Sequence, residues 1–216
     1  YPSPSAITNG NNDNPMLGFL APPGIYTVQM FSKVNGEISS LSKEQSFDVV
    51  PLREGALPTQ SHEEIASFWR KYEAMIKKAS AVQMTLSHSI DKLKGIDIAI
   101  GRSQSQIGEL DSEFNVLRNQ FLSLDEQLNG NRSKMEPGEK NNPTASDRLY
   151  IIGRIMEFST YGPTATAKNL MSLAVRDIDI IEEKLSKMNS DLSLLTTKII
   201  DKGGPWIETE MIPKNQ

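Results

Sequence analysis

IGELDSEFNVLRNQFLSLDEQL, residues 107–128, sets Ile107, Leu110, Phe114, Leu117, Phe121, Leu124 and Leu128 at alternating steps of three and four. That spacing gathers these seven apolar side chains on one narrow stripe of an α-helix, the seam of a coiled coil or helical bundle. A stripe of this kind is stable only when another element covers it, so the segment predicts a bundle with partner helices on both sides in the sequence. Asn129-Gly130-Asn131 closes the helix, with Gly130 as the left-handed cap residue.

The upstream partner begins at Ser61-His62-Glu63-Glu64, a capping box in which Ser61 accepts from the Glu64 backbone and the Glu64 side chain reaches back. Ile65, Phe68, Tyr72, Met75, Ala79, Val82, Leu86, Ile90 and Leu93 follow at helical spacing, and the helix is predicted to end near Ile100, with Gly95 and Gly101 weakening its far end. Downstream, residues 130–143 are polar and contain Pro137-Gly138 and Asn141-Asn142-Pro143, which predicts a long mobile loop. A third, shorter helix starts at Thr144 or Ser146 and carries Leu149, Ile152, Met156 and Ser159 inward until Gly162-Pro163 interrupts it. A fourth starts near Thr164 with a stripe of Leu170, Leu173, Ile178, Ile181, Leu185, Met188, Leu192, Leu195 and Ile199, and Gly203-Gly204-Pro205 stops it. Trp206 and Ile207 in the tail are expected to fold back as a hydrophobic plug. Four antiparallel helices facing inward satisfy these stripes, and three helices with one broken arm serve nearly as well.

The front of the chain reads differently. Residues 1–15 have linker composition, rich in Pro, Ser, Asn and Gly. From Ile25 the pattern alternates, with Tyr26, Val28 and Met30 on one face and Thr27 and Gln29 on the other, as in a half-buried strand. Asn35-Gly36 is a type I′ hairpin turn signal, and a second strand is predicted over Ser42 to Val50, ended by Pro51. A lone hairpin is marginal in water, so this pair is read as the last hairpin of an immunoglobulin-like sandwich whose other strands lie upstream of Tyr1. The expected fold is therefore mainly α with a small β part: a β-hairpin over residues 1–53 and a bundle of three to four long helices over 54–216.

Composition narrows the functional classes. The net charge of −4 provides no dense basic face for nucleic acid, and the interleaved Lys, Arg, Asp and Glu read as a solvated surface. The absence of cysteine removes disulfides, thiolate catalysis and Cys-ligated zinc together. No stretch approaches the roughly 18 apolar residues of a membrane span. Tyr1 stands where a start Met is usual, so the sequence is read as a mature form or an excised piece.

No residue is singled out as catalytic, cofactor-binding or metal-ligating. His62 lies in the capping box and His88 off the stripe, and neither has the Glu-x-x-His or i+4 His partner of a helical metal site. Residues 101–108, Gly-Arg-Ser-Gln-Ser-Gln-Ile-Gly, lack the Lys of a phosphate loop, and no Gly-x-Ser-x-Gly elbow is present. Asp97, Glu109, Asp111, Glu182 and Glu183 are expected on the surface, Met75, Met156 and Met188 in the core, and Trp69 at its boundary.

Ala21-Pro22-Pro23-Gly24-Ile25-Tyr26-Thr27-Val28 resembles the PPG-x-Y-x-V strand near the carboxy terminus of secreted bacterial BNR-repeat, sortilin-type β-propeller proteins, described as glycosyl hydrolase-like. Val49-Val50-Pro51-Leu52-Arg53 is similar to that family's exit into helices, and Arg148-Leu149 followed by Gly162-Pro163-Thr164-Ala165 is similar to its passage between the last two helices. Glu54-Gly55-Ala56-Leu57 departs from the family's Asp-Pro-Arg continuation. The resemblance runs in order from about Gly18 to Leu195 and implies that any hydrolase chemistry belongs to an upstream propeller, so no catalytic residue carries over. The expected function is a non-catalytic C-terminal accessory or interaction module of such an exported protein, periplasmic, secreted or at the cell surface. Its partners would be the upstream domains of the same chain, another protein, or a second copy. The alternative is a stand-alone helical interaction or oligomerisation module, and the third reading is an enzyme fragment acting on glycans.

Overall fold

A computed structural model describes residues 21–52, 59–103, 108–135, 142–157 and 161–205. The helical part consists of α1 (His62–Arg102), α2 (Gly108–Asn129), the single turn α3 (Arg132–Met135), α4 (Ala145–Glu157) and α5 (Ala165–Asp201). Four of these pack as a bundle, as the stripes require, and β-hairpin structure precedes them. Ser159, Trp206 and Ile207 lie outside the described residues, as do residues 1–20 and 136–141.

The directions of the helices follow from their side-chain pairs. Lys78 Nζ on α1 meets Asp179 Oδ1 on α5 at 2.7 Å, and Ser89 Oγ meets Asn189 Oδ1 at 2.6 Å. The near-constant separations of 101 and 100 residues mean that α1 and α5 run parallel. Moving back along α5 from Lys198 to Lys184, the partners on α2 advance from Glu113 to Gln127, so α2 is antiparallel to α5. Arg148 of α4 then pairs with Asp177, about two helical turns further along the same line. α2 and α4 therefore occupy successive levels of one descending arm, broken at residues 130–144. The bundle makes three passes, up, down and up, rather than the four antiparallel passes considered from the stripes. The broken-arm arrangement is the one adopted.

Two cores result. One joins Val82, Leu86, Leu93 and Ile96 of α1, Leu110 to Leu128 of α2, and Ile178 to Ile199 of α5. The other joins Phe68, Leu149, Ile152, Met156, Ala167, Met171 and Ala174. Between Phe68 and Val82, where the descending arm changes from α2 to α4, α1 has no fully buried residue.

Local chemistry sets the ends. The Ser61–Glu64 capping box is formed in both directions, at 3.2 and 3.1 Å. Thr144 and Asp147 make the equivalent exchange at the start of α4, and Thr164 Oγ1 caps α5 through Ala167 N. At the end of α5, Gly203 N donates to Ile200 O and Gly204 N to Ile199 O, the paired bonds of a Schellman cap, with Gly203 at φ +80°. Gly95 and Gly101 do not shorten α1, which runs to Arg102, because Leu93, Ile96 and Ala99 are buried around them and packing outweighs a propensity cost of about 1 kcal/mol each.

Three local readings are corrected. At the start of α5 the inward residues are Ala167, Met171 and Ala174, while Leu170 and Leu173 flank the core, since a step of five from Leu173 to Ile178 breaks helical spacing. In α1 the seam position is Ser89, with Ile90 at its side. Within residues 130–143, Arg132–Met135 form a helical turn rather than loop, its Ser133 N–H capped by Asn131 Oδ1.

Candidate interaction surface

The β segment is one interrupted ribbon. β1 (Gly24–Val28) pairs antiparallel with β4 (Gln45–Val49), and between them β2 (Phe31–Val34) pairs with β3 (Glu37–Ser40) around the Asn35-Gly36 turn. Asn35 and Gly36 have φ of +50° and +91°, the double left-handed geometry of a type I′ turn. The strand expected over Ser42 to Val50 is shorter, and the hairpin has an extra pair of strands nearer its tip. Gln29 and Met30 face the four residues 41–44, which shifts the register by two residues between the halves. The mismatch is satisfied locally: Met30 N donates to Ser42 Oγ, Leu41 N to Met30 O, and Gln29 Nε2 reaches Ser40 Oγ and Ser42 O.

Register also fixes the faces. Tyr26 stands opposite Phe47, with ring centroids 6.0 Å apart, and shares its face with Val28 and Val49. Thr27, Ser46 and Asp48 point the other way with Ile25. The strand was expected to be half buried. Instead Val28 is 56% exposed and Phe47 50%, and Met30, Phe31, Ile38 and Leu41 are open as well. Among the described residues no strand packs on a helix. The ribbon thus presents one apolar face and bare backbone edges.

Elsewhere the surface is that of a solvated bundle. His62 and His88 are exposed. Glu182 is exposed, as expected, and reaches across to Lys78 at 2.6 Å; with Asp179 it holds the Lys78 ammonium above its ordinary pKa through hydrogen bonds to both carboxylates. The Lys94 ammonium lowers the Asp91 carboxyl from its usual value. Trp69 lies edge-on to Tyr72 at the boundary of the second core, 5.7 Å between centroids, and burial raises the Tyr72 phenol. Met156 and Met188 are buried, and Met75 packs against both cores. Among the described residues no cluster of three or more His, Asp or Glu could hold a metal ion, and no helix is long and apolar enough to cross a membrane. No family model, curated protein or solved structure matches the chain.

Proposed function

We propose that this chain is a non-catalytic accessory module of a larger exported protein, in which the ribbon completes a β-sandwich and the helical bundle is a rigid spacer and docking arm. The observation that carries the reading is the amphipathic ribbon. Tyr26, Val28, Phe47 and Val49 form an apolar face that no helix covers among the described residues. A two-stranded ribbon in that condition is marginal by itself and is stabilised by strands on its edges and a second sheet over its face. The Tyr26 hydroxyl donates to Pro22 O, four residues upstream, at 2.7 Å. A tyrosine tied back to nearby backbone at a strand start is a feature of sandwich domains, and it favours that setting here.

The similarity of the Pro-Pro-Gly-x-Tyr-x-Val strand and the later motifs to BNR-repeat propeller proteins suggests the parent: a periplasmic, secreted or surface glycosyl hydrolase-like chain with its chemistry upstream. The three-pass bundle favours a spacer. An odd number of passes leaves Gln60 and Gly203 at opposite ends of a rod, whereas four passes would return the chain to its starting end.

The test is the mass of the native product in its source cell, detected with an antibody against the helical part. A band several times heavier than 24.0 kDa is expected. A band at 24.0 kDa would overturn the proposal and favour a stand-alone helical interaction or oligomerisation module.

A further inference from the structure

The sequence contains Asn-Gly at 9–10, 35–36 and 129–130, the first pair lying outside the described residues. The other two pairs have opposite surroundings. Asn129 is half-buried, its amide donates to Asp125 Oδ1 at 2.6 Å, and the Gly130 nitrogen donates to Glu126 O at 2.8 Å. Asn35 and Gly36 are both exposed at the ribbon tip. Among the described residues the Gly36 nitrogen donates to no carbonyl, the Asn35 side chain makes no hydrogen bond, and the space a Gly36 Cβ would occupy is open.

We propose that Asn35 is a self-modification site, where the fold leaves an Asn-Gly pair free to cyclise while the helix cap at Asn129 blocks the same reaction. The Gly36 backbone nitrogen, losing its proton to hydroxide, attacks Cγ of Asn35. The new N–C bond closes a five-membered succinimide, and the side-chain nitrogen leaves as ammonia. Water then opens the ring at either carbonyl, giving aspartate or isoaspartate. Glycine permits the approach because it has no side chain and a soft backbone. The I′ turn must open for the nitrogen to reach Cγ, which a bare two-stranded ribbon does readily. At Gly130 the nitrogen is tied into the helix end and the Asn129 side chain is held away by Asp125.

The product has structural consequences. Isoaspartate inserts a methylene into the main chain, so the two-residue connection between Val34 and Glu37 no longer has I′ geometry and the β2–β3 pairing loosens from the tip. Either product adds a negative charge two residues from Glu37.

The experiment incubates the full chain at mildly alkaline pH in water labelled with heavy oxygen, then digests it and follows the peptides containing residues 35 and 129 by mass spectrometry, with a parallel sample in concentrated urea. In the folded chain Asn35 is expected to convert to labelled aspartate and isoaspartate at least about tenfold faster than Asn129, the factor equivalent to about 1.4 kcal/mol of local opening. In urea the two rates should converge. Equal rates in the folded chain, faster conversion at Asn129, or an Asn35 that survives folded but converts in urea would each overturn the proposal.

Discussion

Gly153 sits inside α4, where any other residue but proline would be a better helix former, and the reason is Tyr72. A Cβ at position 153 would lie 2.5 Å from Tyr72 Oη and 3.4 Å from Cζ. The phenol is held in place by its bond to Leu149 O at 3.2 Å, one turn before Gly153 in the same helix, and packs against Trp69. Gly153→Ala therefore gains about 1 kcal/mol of helix propensity. Against that it forces the ring to move, an overpacking cost of about 1–3 kcal/mol, and strains a hydrogen bond worth about 1 kcal/mol. The net expectation is a loss of about 1–2 kcal/mol. In a Tyr72→Phe background the 2.5 Å contact is gone, and the 3.4 Å contact to the ring carbon is ordinary. There Gly153→Ala should stabilise by about 0.5–1 kcal/mol. Urea unfolding of all four proteins, followed by far-UV circular dichroism with the slopes checked for constancy, gives the coupling directly. If Gly153→Ala stabilises the parent chain, or if the two changes add within about 0.5 kcal/mol, the Tyr72 hydroxyl is not what excludes a side chain at 153.

Phe121, fully buried on the α2 seam, should cost about 3–5 kcal/mol when replaced by alanine, read as a lower urea midpoint, while Val116→Ala on the exposed side of the same helix should change it by less than about 0.5 kcal/mol. Burial raises the Tyr72 phenol above 10.0, so its contribution is full below that pH and is lost as pH rises through the higher folded value; Tyr72→Phe should lose less stability above that pH than the parent, while Lys78, raised above 10.5 by Asp179 and Glu182, still contributes to the decline in both. Because no strand touches a helix among the described residues, removing residues 1–52 should leave the bundle's unfolding midpoint unchanged, and a marked drop would mean that the ribbon supports the helices.

From Leu110 to Leu128 the α2 stripe could be read from sequence because every seam residue there is large and apolar, so the 3–4 spacing has no gaps; Ile107, the first residue of the expected stripe, lies outside the described residues. The start of α5 was misread because its inward residues are partly alanines. Ala167 and Ala174 allow close helix approach without announcing themselves, and the eye follows Leu170 and Leu173 instead. Ser89 is the same problem in polar form. It is buried at a seam position because its hydroxyl is satisfied by Thr85 O at 2.8 Å and by the Asn189 amide, a partner 100 residues away that no local pattern signals. Glu182 is on the surface, as its run of charges implies, but the partner that parallel packing brings to it, Lys78, leaves no local mark in the sequence. The Asn35-Gly36 turn was legible because positive φ restricts residue choice, but the four residues facing Gln29 and Met30 were not, since a register shift leaves no compositional mark. The apolar face of the ribbon was legible too; its exposure was not, because alternation states which side chains share a face and not what covers them.

Helix direction is the point on which sequence left two arrangements open, and it can be measured without ambiguity. In the three-pass bundle Ser61 and Thr164, the caps of α1 and α5, lie at one end, joined through Gln60, whose Nε2 donates to Pro163 O at 2.7 Å. Lys202 lies at the other end, beyond 37 residues of α5, a span of about 55 Å at 1.5 Å per residue. With four antiparallel passes α5 would run the other way, placing Lys202 near Ser61 and Thr164 far from it. The chain has no cysteine, so pairs of introduced thiols can carry spin labels with no background. Labels at 61 and 202 should report a separation of about 55–60 Å, and labels at 61 and 164 one short enough to broaden the continuous-wave spectrum. The reverse pattern would exclude parallel α1 and α5, and with it the Lys78–Asp179 and Ser89–Asn189 pairs and the spacer role, since the chain would then leave the bundle at the end where it came in.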